Sequence, residues 1–325
     1  MLERDRQFML FGLSPDRYSK RGIGLFFAIY FGAMLFAGLT GSLAYGLVAW
    51  CGESNPDGIC AWLVTRSFDK FVDRCRYIPI LIFLPWLMVV TGLAGRSGGF
   101  LSANDLKDRP GSLRWFMWAL VLGGALAGFL YMLQMSFTYF HPRDVDGLGR
   151  WLEIIGGAAV SALLIGLIEE ILFRSLIFRL FYTAFKPGVA IFLASFIYAY
   201  LHFRAPGAFL AGPNANPGLI SSLQIAGLNS VGAFLNFNFI EFANYTSLGA
   251  LFCVLYLRAR SLWAPIGLHI GIVFVMLIYQ KAIDMHIDPL RWVFASGGLT
   301  NGIAPLILTL ALTLLFAIRL PVSRR

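Results

Sequence analysis

Two adjacent glutamates and an arginine interrupt one of the most apolar stretches of the chain. The run reads Ser161-Ala-Leu-Leu-Ile-Gly-Leu-Ile-Glu169-Glu170-Ile-Leu-Phe-Arg174-Ser-Leu-Ile-Phe178. An ionised carboxylate at the centre of a bilayer costs roughly 2.5–3.5 kcal/mol on insertion scales. A helix of this composition can therefore cross a membrane only if these groups face one another, other protein groups or a wet cavity. That requirement restricts both the fold and the function.

The rest of the chain has the same apolar character. Of its 325 residues 58% are hydrophobic and 13% charged, and the mean hydropathy is +0.73. A soluble domain is about one quarter charged, so the composition points to an integral membrane protein. Apolar runs near 22–50, 78–95, 114–138, 152–182, 187–203, 243–258, 262–280 and 302–319 are long enough to span about 30 Å of hydrocarbon. They predict an all-α protein with about eight transmembrane helices. Barrel strands would instead show short alternating segments. The first twenty residues mix Glu3, Asp5 and Asp16 with Arg4, Arg6 and Arg17 and do not read as a cleavable signal peptide.

Positively charged residues in short loops set orientation. With eight spans, sixteen Lys and Arg fall on the side of the termini and nine on the other, which predicts cytoplasmic termini. The net charge of +9 then reflects anchoring to anionic lipid, not nucleic-acid binding. Cys51, Cys60 and Cys75 fall in the first external loop. An oxidising exterior permits a Cys51–Cys60 bridge, with one thiol left over.

No soluble domain is visible, so any chemistry is done within the membrane. The chain divides into residues 1–150 with three spans, a core over 151–283, and 284–325 with the last span. Within the core, residues 204–242 are punctuated by Gly, Pro and Asn, yet only Arg204 and Glu241 are charged. Such a segment reads as a re-entrant or interfacial element. Gly123, Gly124 and Gly128 give the third span a small-residue face suited to helix packing.

The ionisable residues inside the predicted spans are few: Glu169, Glu170 and Arg174 on the fourth, His202 on the fifth and His269 on the seventh. Glu170 and Arg174, four apart, share a helix face and can pair. Glu169 is rotated about 100° away and cannot share that partner equally. One carboxylate is thus neutralised, and the other is placed to act as a general base. A histidine from another helix can hold the same water, and a second can donate to a developing oxyanion.

Three motifs carry a family resemblance. They are Glu169-Glu170-Ile-Leu-Phe-Arg174, Ser195-Phe-Ile-Tyr198-Ala-Tyr-Leu-His202 and Ser261-Leu-Trp263-Ala-Pro265-Ile-Gly-Leu-His269. In order and spacing they resemble the CPBP (Abi) family of CAAX prenyl proteases and bacteriocin-processing enzymes, which are intramembrane glutamic endopeptidases. The resemblance implies that Glu169 activates water with help from His202, and that His269 stabilises the oxyanion. Glu170 and Arg174 would brace the site, with Tyr198 and Trp263 packing around it. It implies no cofactor and no metal, a peptide or membrane-anchored protein as substrate, and residence in the bacterial cytoplasmic (inner) membrane. Two positions depart from the family pattern: Tyr198 stands where Phe is usual, and Val273 where Asn or Asp is usual. The second departure implies another donor (Asn244 or one from 204–242), a weaker oxyanion hole, or a catalytically inactive scaffold.

Other readings are a zinc protease using Glu169, His202 and His269, and a transporter or proton relay. Neither a His-Glu-x-x-His pattern nor paired broken helices in inverted repeats support them. At 1.5 Å per residue Glu169 and His269 reach similar depths. His202 comes out higher unless the fifth helix begins after 187, with 183–190 in the interface, and that later start is the expectation.

Overall fold

The computed structural model describes residues 15–55, 60, 67–90, 111–137, 140–143, 145, 147–285, 290–295 and 298–318. The chain is helical nearly throughout. In order come α1 (Pro15–Ser54), α2 (Phe68–Cys75), α3 (Tyr77–Val90), α4 (Ser112–Phe137) and α5 (Gly147–Glu170). A π-helical segment, Ile171–Phe178, continues into α6 (Arg179–Ala184). There follow α7 (Pro187–His202), α8 (Gly207–Ala215), α9 (Leu219–Ser230), α10 (Gly232–Leu235), α11 (Phe239–Ala259), α12 (Trp263–Ala282), α13 (Arg291–Phe294) and α14 (Ile303–Ile318). A two-stranded antiparallel ribbon pairs β1 (Phe140–Pro142) with β2 (Ile283–Met285), His141 opposite Asp284.

Among the described residues five helices are long and apolar enough to cross a membrane: Gly22–Ser54, Ser112–Phe137, Gly147–Ala184, Phe239–Ala259 and Trp263–Ala282. Together α7 and α8 pass the same test as a pair bent by 49°, which makes them a broken span or a re-entrant loop. The 302–319 run is met by α14, shorter at 16 residues, and the 78–95 run begins with α3. Among the described residues each predicted apolar run meets an apolar helix, and five or six of these are long enough to span, which is compatible with eight spans without establishing that number. The protein is an all-α, multi-pass membrane protein.

The described residues form two compact units. One draws on Met1–Ser19, Gly92–Ala199 and Asn238–Arg325, the other on Lys20–Thr91 and Tyr200–Phe237. The boundary falls inside α7, after Ala199.

In the first unit α12 lies against α4 and α5 at backbone distance. A Cβ on Gly123 would strike the Leu268 carbonyl, and one on Gly267 or Gly271 would strike the carbonyls of Phe116 or Leu120. At Gly166 of α5 a Cβ would come 2.7 Å from the Ile270 side chain. Small residues permit this close approach where no hydrophobic force drives helices together in lipid. The Gly123 part of the small-residue face thus serves packing within the chain. Polar contacts tie α14 to α11: the Ser247 and Thr309 hydroxyls meet at 2.7 Å, and Asn244 Nδ2 donates to Gly302 O at 2.8 Å. The Asn238 side chain caps the start of α11 by accepting from Glu241 N at 3.1 Å.

The second unit packs Ala37, Phe68, Val72, Cys75, Ala205, Leu210 and Ile225 into one apolar cluster. The segment 204–242 contributes α8, α9 and α10, short helices in place of a single span. Asp73, only 4% exposed, pairs with Arg76 at 3.0 Å and Arg204 at 2.9 Å. Asp73 and Arg76, and Arg179 of the first unit, are buried. Cys51 and Cys60 form a disulfide with Cα atoms 5.7 Å apart.

The fifth span does not begin later than drawn. Pro187 opens α7, and Ala190 N donates to Lys186 O at 2.9 Å. Proline suits the first turn of a helix because its missing N–H has no intrahelical partner there. The chain instead bends after His202.

Two measurements check this packing. Gly271→Leu forces a side chain into the backbone of α4 and is expected to cost at least about 1–3 kcal/mol, read as a lowered melting temperature in detergent. Peptide mapping without reductant is expected to recover a Cys51–Cys60 linked peptide. Cys75, buried so that its thiol is pushed up in pKa, should alkylate only after denaturation.

Candidate functional site

The turn after α5 is where the charged groups converge. Upstream, α5 exposes apolar side chains such as Leu152, Ile155, Val160, Leu163 and Leu164. From Leu172 to Phe181 every residue is buried. A helix apolar all round suits such a position, and the π geometry begins there, immediately after Glu170. Single π turns inside α-helices are frequent at functional sites.

Glu170 is fully buried and Arg174 is 1% exposed. Arg174 Nη1 donates to Glu170 Oε1 at 2.9 Å, as their spacing predicted. Arg174 Nη2 also reaches the carbonyl of Gly249 on α11, at 3.4 Å. Gly249 admits this contact because α11 passes close to α7: a Cβ there would sit 3.0 Å from Ser195 Cα.

Aromatic rings complete the enclosure of the guanidinium. It lies 4.5 Å from the Phe252 centroid, 4.6 Å from that of Tyr198 and 5.7 Å from that of Phe173. Desolvated cation–π contacts are worth about 2 kcal/mol or more, which helps to offset the burial of the charge. Tyr198 therefore packs its ring on Arg174, with Phe173 edge-on at 4.8 Å. Trp263 packs edge-on against Phe116 at 5.8 Å.

His269 enters from α12 and is 4% exposed. Its ring stacks on Phe252 at 5.0 Å and 18°. Nδ1 lies 2.8 Å from Glu170 Oε1. An ionised carboxylate only accepts, so Nδ1 carries the proton and donates. This leaves Nε2 directed to Glu169, 3.8 Å from its Oε2. The Glu169 side chain is 25% exposed, against 0% for Glu170. The two neighbours thus occupy different environments: Glu170 locks two donors in the interior, and Glu169 faces the open side of the histidine.

The structure brings Glu169, Glu170, Arg174, Tyr198 and His269 together in one unit. His202, partly buried, is the last residue of α7 and belongs to the other unit. Asn244 does not supply the donor that Val273 lacks. Its amide nitrogen already donates to Ile240 O at 2.9 Å and Gly302 O at 2.8 Å. Val273 itself is buried, one turn beyond His269. Among the described residues no three His, Cys, Asp or Glu side chains cluster as a metal site.

Phe252 and Gly249 were not foreseen as parts of the site. Both lie on α11, three residues apart, and this helix-face spacing was a usable signal. Nothing in the chain, however, says that this face meets Arg174.

Residues 151–275 match the family model for type II CAAX prenyl endopeptidases, Rce1-like. Comparisons with curated proteins and with solved structures give no significant match. The matched segment contains all three motifs read from the sequence.

Breaking the buried pair is the decisive test of its structural role. Arg174→Ala leaves Glu170 uncompensated, and such losses cost about 3–5 kcal/mol. The expected outcome is a large drop in melting temperature and in the yield of monodisperse protein in detergent.

Proposed function

On the premise that residues 151–275 are the protease core of a type II CAAX prenyl endopeptidase of the Rce1-like family, we propose that the protein is an intramembrane glutamic endopeptidase. The observation that carries this reading is the asymmetry of the two glutamates. Glu170 is bound to Arg174 and to His269 Nδ1, while Glu169 approaches the opposite nitrogen of the same ring.

In this reading Glu169 takes a proton from water as the oxygen attacks the scissile carbonyl. The carbonyl electron pair moves onto oxygen, where His269, carrying a proton on Nε2 as well as on Nδ1, donates from Nε2. Collapse of the adduct breaks the C–N bond, and the proton on Glu169 passes to the leaving amine. Glu170 fixes the ring orientation of His269, as the buried carboxylate does in serine protease triads. Arg174 pairs with Glu170 and compensates its charge. His202 helps to hold the water, a role that rests on its place in the second motif. The reaction needs no metal or cofactor.

The substrate class is a peptide or membrane-anchored protein cut at or near the bilayer. The protein resides in a bacterial inner membrane with both termini cytoplasmic. The Cys51–Cys60 disulfide supports this orientation, because disulfides persist on the oxidising side.

The test uses full-length protein in liposomes with two internally quenched CAAX peptides, one prenylated and one not. Wild type is expected to cleave at least one. Glu169→Ala should lose about 10²–10⁴ in rate, the range for a general base, with an unchanged melting profile. Equal cleavage by both proteins, or none by wild type, would sink the endopeptidase reading. Peptidomics of membranes holding wild type or Glu169→Ala then identifies natural substrates.

A further inference from the structure

His202 ends α7, and the residues that follow it, 203–206, are not helical. This corner belongs to the second unit, and its backbone is held on several sides. Ala205 N donates to Asn229 Oδ1 of α9 at 3.2 Å, and Phe203 N to Tyr200 O at 3.3 Å. The Tyr200 hydroxyl donates in turn to Ser230 O at 2.7 Å. Gly232 of α10 packs on the same stretch, where a Cβ would lie 2.7 Å from Phe203 O.

The other ties come from α2, a helix of eight residues. Its buried Asp73 reaches Arg204 Nη2 at 2.9 Å, next to the Arg76 contact at 3.0 Å. One turn earlier, Asp69 N donates to Asn214 Oδ1 of α8 at 2.7 Å. That N–H is one of the helix-start donors with no partner inside its own helix. Between these two points Phe68 and Val72 pack in one cluster with Ala205 and Leu210. The short helix thus runs along the corner and α8, fastened at Arg204 and again at Asn214.

Charge balance does not require the Arg204 contact. A buried carboxylate needs a partner, and Arg76 already supplies one. The Arg204 side chain is 51% exposed and could remain in solvent. From this geometry we infer that α2 is a positioning element for His202, and that Asp73 is its key residue. By holding Arg204, two residues beyond the histidine, it fixes the end of α7 and the direction in which His202 projects. The catalytic consequence rests on the endopeptidase reading, in which His202 helps to hold the water; the holding of the corner does not. Residues of α2 lie outside the segment 151–275 that matches the family model, so the N-terminal region contributes to the site more than a wall.

The experiment uses the full chain in detergent with histidine rings labelled in carbon-13, the His202 signal being assigned by its loss in His202→Asn. Arg204→Ala leaves Asp73 paired with Arg76, so the melting temperature should move by no more than about 2 °C. The His202 signal should broaden or split while the other histidine signals stay in place, and amide exchange over 203–205 should rise about tenfold. Neither Asp73 oxygen has an aligned hydrogen-bond donor, so the tie is an attraction of charges, and Arg204→Lys should restore the wild-type signal. An unmoved His202 signal in Arg204→Ala, or equal disturbance by Arg204→Lys, would overturn the inference. In liposomes with a cleaved CAAX peptide, Arg204→Ala should lower kcat about tenfold at unchanged KM. Wild-type kcat in that variant would refute the catalytic consequence. If wild type cleaves neither peptide the endopeptidase reading fails, while the histidine spectrum still decides whether α2 holds His202.

Discussion

The contact between Glu170, Arg174 and His269 is the constraint around which the first unit is built. Three groups from α5, the π segment and α12 meet at one carboxylate oxygen, at 2.9 and 2.8 Å. In a low-dielectric interior none of them can be left alone, since an uncompensated charge there costs several kcal/mol. The helices that carry them must therefore come close. Glycines make that possible: Gly166 admits α12 to α5, while Gly123, Gly267 and Gly271 bring α12 onto α4. Gly249 does the same for α11, whose carbonyl and Phe252 ring close the shell around Arg174. Charge placement and helix packing are one problem here.

That solution leaves Glu169 in a different position from its neighbour. Successive residues on a helix point about 100° apart, so committing Glu170 to the interior turns Glu169 towards the side where His269 presents Nε2. Adjacent carboxylates of identical intrinsic chemistry are thereby given separate surroundings. The histidine links them, because its two nitrogens face different glutamates. Separating a pair of like groups by environment is how active sites assign acid, base and brace.

Much of this was legible before any coordinates. The Glu170–Arg174 spacing predicted the pair, and the restriction of ionisable residues to a few helices marked Glu169 and His269 as partners. Other features were hidden for physical reasons. The π turns over Ile171–Phe178 leave no distinct periodicity in a segment that is apolar except at Arg174 and Ser175. The burial of Asp73 and Arg76 is invisible to hydropathy, which does not record that an ion pair can bury a charge. Asn244 looked available as a donor; only the approach of Gly302 commits its amide elsewhere. The start of α7 at Pro187 was visible as a helix-opening proline, but a depth argument that assumed straight spans outweighed it.

The sequence by itself determined that the chain is an all-helical membrane protein and that three motifs bear its polar chemistry. Apolar run length and helical spacing are local properties, and a bilayer leaves few other ways to satisfy the backbone. Which nitrogen of His269 meets which glutamate and which rings enclose Arg174 were decided only in three dimensions. These depend on the distances between helices, and those distances come from glycines and carbonyls far apart in the chain. The sequence named the groups; tertiary packing assigned their partners.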